Sequence, residues 1–465
     1  MLGGLVVLAV AIGVRHHRAG AGLAGVVAGP VEARVTLLDD PRPLDPGVAV
    51  TVVAGGHHLA ATAYGPAAWD ILARSAGETL DVRGRVRPLG DDDPLRWRHV
   101  AGRLSVDEVV AWGPADPLHR AANALRAALL DGARVLGPQR APLFGGMVIG
   151  DDRGQWAVTA DDFRAAGLGH LLVVSGQNVV FVLALVAPLT CRLRPGSRLV
   201  AVVAVLAVFC VVTRFEPSVL RAVTMAGFST AAGVLGTRAD ARRALSSSIV
   251  VLCGVDPFLV RVLAFQLSAA ASAGIVWLGP ALERRLAGPT PVRGALAATA
   301  GAQLAVAPLL VATFGSVPVW SLPANLLADP AAGPVMMWGA TAGLVAGVAP
   351  AGVARLVHLP TRVLLGWISG VAHLAALAPP ARLGGVGLAV LVGAVVVAMR
   401  WRRVGGALVV LVGVLTVLTT PRPPGGELVL EGVRVWRGGG AVVVVLEDPG
   451  RPAGVLAALR EAGVG

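Results

Sequence analysis

Two regimes of hydrophobic patterning divide the chain. Between residues 31 and 111 apolar positions alternate with polar ones, as in Val31, Ala33, Val35 and Leu37 and again in Leu80, Val82, Gly84 and Val86. That alternation puts every second side chain on one face of a pleated strand. It predicts strands at about 31–38, 47–54, 57–64, 79–87 and 99–110, separated by turn formers such as Asp40-Pro41 and Asp92-Asp93-Pro94. Between the third and fourth strands, Pro66 to Ser75 reads as a short helix with proline in its first turn. From Gly167 to about Leu418 the second regime takes over, with near-continuous apolar stretches such as 198–213, 262–279, 293–314 and 383–399. These approach the ~20 residues that cross a ~30 Å hydrocarbon layer.

Five strands with a helix after the third is the pattern of an all-β OB-fold barrel, here an inserted domain at residues 30–113. Such barrels often bind single-stranded nucleic acid through a basic groove and stacking rings. Tyr64, Trp69, Trp97 and Trp112 are the rings available, and they serve equally as core or membrane-interface anchors. The apolar region, 166–418, predicts a polytopic α-helical membrane domain of roughly eight to ten spans. Several spans carry glycine, proline or polar residues, including Pro188, Pro308, Pro330 and Pro334. Backbone breaks inside a membrane are tolerated where they are buried or line a watery path.

Shorter segments fill the remainder. Leu2 to Val14 followed by Arg15 and Arg18 has the wrong charge polarity for a signal peptide and predicts a short membrane hairpin over 1–29. Residues 114–165 form a connecting region. Within it, Pro117 to Leu136 has a helical apolar stripe, with Arg120, Arg126 and Arg134 off it, and reads as an amphipathic helix on the membrane surface or the bundle. Gly150 to Phe163 is a polar connector with Asp151, Asp152, Asp161 and Asp162. Residues 419–465 are polar again, with strand-like runs at 427–436 and 441–446 and a helix-like run from Pro452 to Ala462, a short α/β segment.

Composition reinforces the membrane assignment: 55% of the 465 residues are hydrophobic, 15% are charged, and the mean hydropathy is +0.72. Soluble domains do not have this balance. The formal charge is +12 and lysine is absent, so every basic side chain is arginine. A P-loop and a Schiff-base enzyme are therefore excluded, because each needs a lysine. The arginine clusters at 192–198, 238–243 and 400–403 fit cytoplasmic loops of a multi-pass protein of the plasma (inner) membrane, and equally a polyanion. Cys191, Cys210 and Cys253 have neither disulfide-framework nor zinc spacing, and no cofactor or metal is expected.

The sharpest chemistry lies in Gly167 to Val179, where His170, Ser175, Gly176, Gln177 and Asn178 fall within what reads as one spanning segment. Polar groups there are costly in lipid and should face the bundle interior. This segment resembles the characteristic motif of the ComEC/Rec2 competence family, a histidine followed by Ser-Gly and an amide. Three further matches follow in the family's order: Pro217-Ser218-Val219-Leu220-Arg221-Ala222, Asp256-Pro257 with Phe265-Gln266-Leu267-Ser268, and Pro323-Ala324-Asn325-Leu326-Leu327-Ala328.

The resemblance implies a channel that passes one strand of incoming DNA, its path lined by His170, Ser175, Gly176, Gln177, Asn178, Arg221, Gln266 and Asn325. It also implies an external DNA receptor and a cytosolic helicase or strand-binding protein as partners, and it is compatible with a homo-oligomer. From the residues alone, Arg221 faces water, a phosphate or a carboxylate such as Glu216 or Asp256. His170 can equally be a packing histidine, Ser175-Gly176 a close helix contact, and Gln266 and Asn325 bonds between helices. Many family members continue into a metallo-β-lactamase-like domain. Here residues 455–464 resemble the element before its ligands and no histidine follows His373, so nuclease activity is not expected. Asp329-Pro330 stands where the family has an apolar residue before proline; its carboxylate would repel phosphate, or neutralise an arginine. Two alternatives have no such set of matches: a small-solute transporter or inactive channel relic, and an intramembrane serine hydrolase using Ser175.

Overall fold

The computed structural model describes residues 25–44, 46–378, 381–400, 427–430, 433–438, 441–446 and 452–461. The described chain is mostly helical, with a β domain near its start. The expected hairpin at 1–29 lies almost wholly outside the described residues, as do Arg402 and Arg403. The chain divides into two units, Met1–Asp131 with Gly176–Ala269, and Gly132–Ser175 with Ala270–Gly465.

In the first unit the alternating segments form strands β1 (Gly29–Leu37), β2 (Val48–Ala54), β3 (His57–Ala63), β4 (Thr79–Pro88) and β5 (Val100–Gly113). All five match the runs read from the sequence to within about three residues. The sheet closes, because β1 pairs with both β4 and β2, while β3 pairs antiparallel with β2 and parallel with β5. Val35, Leu37, Val50, Val52, Leu59, Leu80, Val82, Leu104 and Val106 fill the interior, as the period-two pattern requires. Helix α1 (Gly65–Leu72) follows β3 and adds Ala67, Ala68 and Ile71 to that core.

Helix α2 (Pro117–Ala133) departs from the sequence reading: Arg126, expected off the buried stripe, is 4% exposed, whereas Leu118 is 51% exposed. The reason is a charge cluster around Asp40, in the turn after β1. The Asp40 carboxylate accepts from Arg126 at 2.8 Å, from Arg214 at 2.8 and 3.2 Å, and from the Ala76 N–H at 3.0 Å. Arg214 also donates to Asn123 Oδ1 at 2.7 Å, and Arg126 to the Val212 carbonyl at 2.7 Å. Burial pushes the Asp40 carboxyl up, but the two guanidiniums more than offset it and bring it down to about 2. The cluster fixes the turn between helices α6 (Pro195–Val212) and α7 (Pro217–Val234), where Arg214 and Phe215 both take φ of 56°. Such left-handed backbone is costly for residues other than glycine and persists where its surroundings hold it.

Two more helices complete this unit, α5 (Gly176–Thr190) and α8 (Ala241–Val255). After α8, Asp256 caps the turn Pro257–Arg261 by accepting from the Phe258 N–H at 2.9 Å. That turn docks on the barrel: His99 Nε2 lies 2.9 Å from Asp256 Oδ1, the Phe258 ring packs edge-on against Trp97, and Arg261 stands 4.9 Å over the Trp97 ring. Trp97 is thereby committed to packing, one of the two roles open to it from sequence.

The second unit contains α3 (Arg140–Ile149), α4 (Ala157–Ala165), most of α9 (Leu263–Glu283), α10 (Thr290–Phe314), α11 (Ser321–Val348), α12 (Ala351–Val357), α13 (Leu359–Leu377) and α14 (Gly385–Arg400). The polar connector is more buried than its composition suggests, because Asp161 and Asp162 are 3% and 8% exposed within α4. The C-terminal segment forms β6 (Glu427–Leu430), β7 (Val433–Gly438) and β8 (Ala441–Leu446), an antiparallel sheet, followed by α15 (Pro452–Glu461). The run expected at 427–436 is thus two strands.

Among the described residues, α6, α9, α10 and α11 are long and apolar enough to cross a membrane. Several of the remaining apolar stretches counted from sequence make shorter helices. At 1.5 Å per residue, a helix the length of α5 reaches only about 22 Å, short of a ~30 Å hydrocarbon layer.

Candidate functional site

The segment from Gly167 to Asn178 does not run as one spanning helix, as its hydropathy suggested. Gly169–Leu171 is a single tight helical turn, residues 172–175 are non-helical, and α5 begins at Gly176. The backbone of the break is held by a residue the motif does not include, since Gln155 donates from Nε2 to the Leu172 carbonyl at 2.9 Å. Gln177 and Asn178 occupy the first turn of α5, the former exposed and the latter buried; Ser175 is half-buried at the end of the break.

In the first unit three of the motif segments meet at one guanidinium. Arg221, on α7, is 7% exposed. Its Nε donates to Ser268 Oγ at 2.9 Å, and its Nη1 lies 3.0 Å from the Met225 sulfur. Its Nη2 occupies the space beside Gly176: a Cβ at that position would stand 2.8 Å from Nη2 and 3.1 Å from the Ala222 Cβ. A larger residue at this position would crowd the close approach between the start of α5 and the first turns of α7, which the glycine of the Ser-Gly pair permits. Neither Glu216 nor Asp256 fills the role of a paired carboxylate; among the described residues Arg221 has only these neutral partners. Gln266, from the same segment as Ser268, donates to the Val260 carbonyl at 2.7 Å and so secures the preceding turn.

In the second unit the other half of the motif packs against the start of α11. Gly167 has φ of 73°, and a Cβ there would come 2.4 Å from the Ser321 Cβ. Ser321 Oγ donates to Gln303 Oε1 at 3.3 Å, and its carbonyl accepts from Asn325 Nδ2 at 2.6 Å. Asn325 thus places an amide N–H on its own helix and is 5% exposed. His170 is exposed, and its Nε2 lies 3.8 Å from Asp329 Oδ1, so the departure Asp329-Pro330 is set against a histidine and not an arginine. His373 faces Asp162 Oδ2 at 3.0 Å, beside an open cavity of about 490 Å³ lined by Gln139, Thr159 and Ser369.

Of the residues singled out from sequence, Gly176 and Arg221 meet in the first unit, while His170 and Asn325 lie along the Ser321–Asp329 stretch of α11 in the second. Ser268, Met225, Gln155 and Asp329 complete these two neighbourhoods. Ser268 stands within a quoted motif, and Met225 is one helical turn beyond Arg221. Nothing in the local pattern marks Gln155, because its partner is a backbone carbonyl distant in sequence.

Comparison with known proteins bears on this geometry. ComE operon protein 3 of Bacillus subtilis (strain 168) is 27% identical over 209 residues, which covers 44% of this chain and 26% of that protein. The match therefore spans about a quarter of the relative's length. No solved structure matches the chain. The family model described as Competence protein matches residues 147–431, more than half of the chain and all four motif segments. The chain belongs to the ComEC/Rec2 competence family.

Proposed function

We propose that this protein is a multi-pass channel of the plasma (inner) membrane that takes up single-stranded DNA during natural transformation. The observation that carries the reading is the buried Arg221, around which Gly176, Ser268 and the α7 motif gather with no carboxylate partner among the described residues. A polyanion crossing a membrane needs donors that replace its hydration in steps, with few fixed cations to trap it. A guanidinium whose described partners are a hydroxyl and a thioether suits that need.

The barrel is read as an OB-fold. Its closed order β1-β2-β3-β5-β4-β1, its parallel β3–β5 pair and its helix between β3 and β4 support that assignment. Tyr64, Trp69 and Trp112 are more than half exposed, and Arg74 lies 4.1 Å over the Trp112 ring, which suits a surface for single strands. Transport, not catalysis, is the proposed activity, and residues 419–465 are read as the beginning of a metallo-β-lactamase-like segment. In this scheme an external receptor delivers DNA, and a cytosolic helicase or strand-binding protein draws the strand inward; association of several copies is compatible with it.

The test is rescue of transformation in a competent host lacking its own channel. The intact chain should restore transformants, while His170→Ala, Arg221→Ala and Asn325→Leu at matched membrane levels should reduce them at least tenfold. Failure of the intact chain to rescue would remove the reading.

A further inference from the structure

Arg221 poses a charge problem that its protein partners do not solve. A guanidinium carries five N–H donors in a fixed planar fork. Among the described residues they meet one hydroxyl, on Ser268, and one thioether sulfur, on Met225, which is a weak acceptor. A charge removed from water with neutral partners alone is expensive, and in proteins such charges are paired. The neighbouring structure adds to the positive potential. The start of α5, a helix of 15 residues, lies against Nη2, and helix N-termini carry partial positive charge. Nη2 fills the space that a side chain at Gly176 would take, so the guanidinium lies directly against this helix end.

We infer that Arg221 and the adjoining start of α5 form a binding site for one phosphodiester group of a single-stranded nucleic acid. The guanidinium fork matches two phosphate oxygens, and the helix end contributes favourable potential to the same anion. Ser268 holds Nε and so fixes the plane of the fork. One site of this kind gives a strand a resting position for a single phosphate. The inference rests on the transport reading above, and its test separates the two.

The full chain in detergent micelles is titrated against a short fluorescein-labelled oligothymidylate over a range of salt concentrations, with anisotropy as the readout. Each phosphate contacted on a single strand contributes about 0.7 to the slope of log affinity against log salt. Arg221→Met should lower the slope by about that amount and weaken binding roughly tenfold or more. Arg221→Lys, which keeps the charge, should retain the slope. Gly176→Ala, which keeps the arginine but crowds Nη2, should weaken binding and serves if Arg221→Met does not fold. Wild-type slope and affinity in both Arg221→Met and Gly176→Ala would overturn the inference and leave the transport reading standing. Absence of salt-dependent binding by the wild-type chain would overturn both.

Discussion

Replacing Asp40 with asparagine is the most informative single perturbation of the fold. The carboxylate is 8% exposed and faces Arg126 and Arg214, whose side chains are 5% and 11% exposed. Its folded pKa of about 2 lies below the ordinary 3.8. Carrying a carboxyl over that interval is worth about 2 kcal/mol. Removing the acid also leaves two buried guanidiniums uncompensated, for which breaking a buried pair typically costs ~3–5 kcal/mol. Asp40→Asn should therefore lose about 2 to 5 kcal/mol at pH 7. The assay is unfolding of the purified chain in detergent, followed by intrinsic tryptophan fluorescence.

The sign with pH is set by the depressed folded value. The contribution is complete above the unfolded pKa of 3.8 and disappears as pH falls through about 2. The gap between wild type and Asp40→Asn should thus be constant near neutrality, narrow below about pH 4 and be small at pH 2. Equal stability of the two proteins at pH 7 would refute the role assigned to this cluster, as would a gap that widens in acid.

Two further outcomes follow from contacts on either side of the site. Phe258→Ala, in a side chain 2% exposed against Trp97 and His99, should cost ~3 kcal/mol and uncover the turn that carries those two rings, so limited proteolysis at residues 89–99 should become faster. Asp329→Leu breaks a contact of 3.8 Å between side chains 50% and 33% exposed, so it should change stability by less than about 1 kcal/mol; if Asp329 impedes phosphate, the same substitution should raise transformation in the rescue assay.

Much of the barrel was legible in the sequence because its information is local. Alternation at period two sets which side of each strand is buried, and the Asp-Pro pairs at 40–41 and 93–94 mark turns. The parallel pairing of β3 with β5 was not legible, since it joins segments about 40 residues apart and no local pattern encodes it. Asp40 read as a turn former because its neighbour is proline; its second role depends on arginines 86 and 174 residues away. Arg126 was misread for the same reason, as helical periodicity assigns arginine to the polar face unless a partner is known. The motif residues were found by resemblance, but hydropathy ran straight through the break at 172–175, where a hydrogen bond from Gln155 and the start of α5 decide the backbone.

The positions of the Asp40 cluster along the chain also impose an order of assembly. Every strand of the barrel has been synthesised by Gly113, and Arg126 follows soon after, yet Arg214 emerges about a hundred residues later. At ~5–20 residues per second that is a wait of roughly 5–20 s. During it the barrel can close and Asp40 can take its first guanidinium, while the left-handed turn at Arg214 and Phe215 does not yet exist. The turn that introduces α7, and with it Arg221, is thus built onto an acid already in position, so the barrel acts as a template for the membrane segment that follows it.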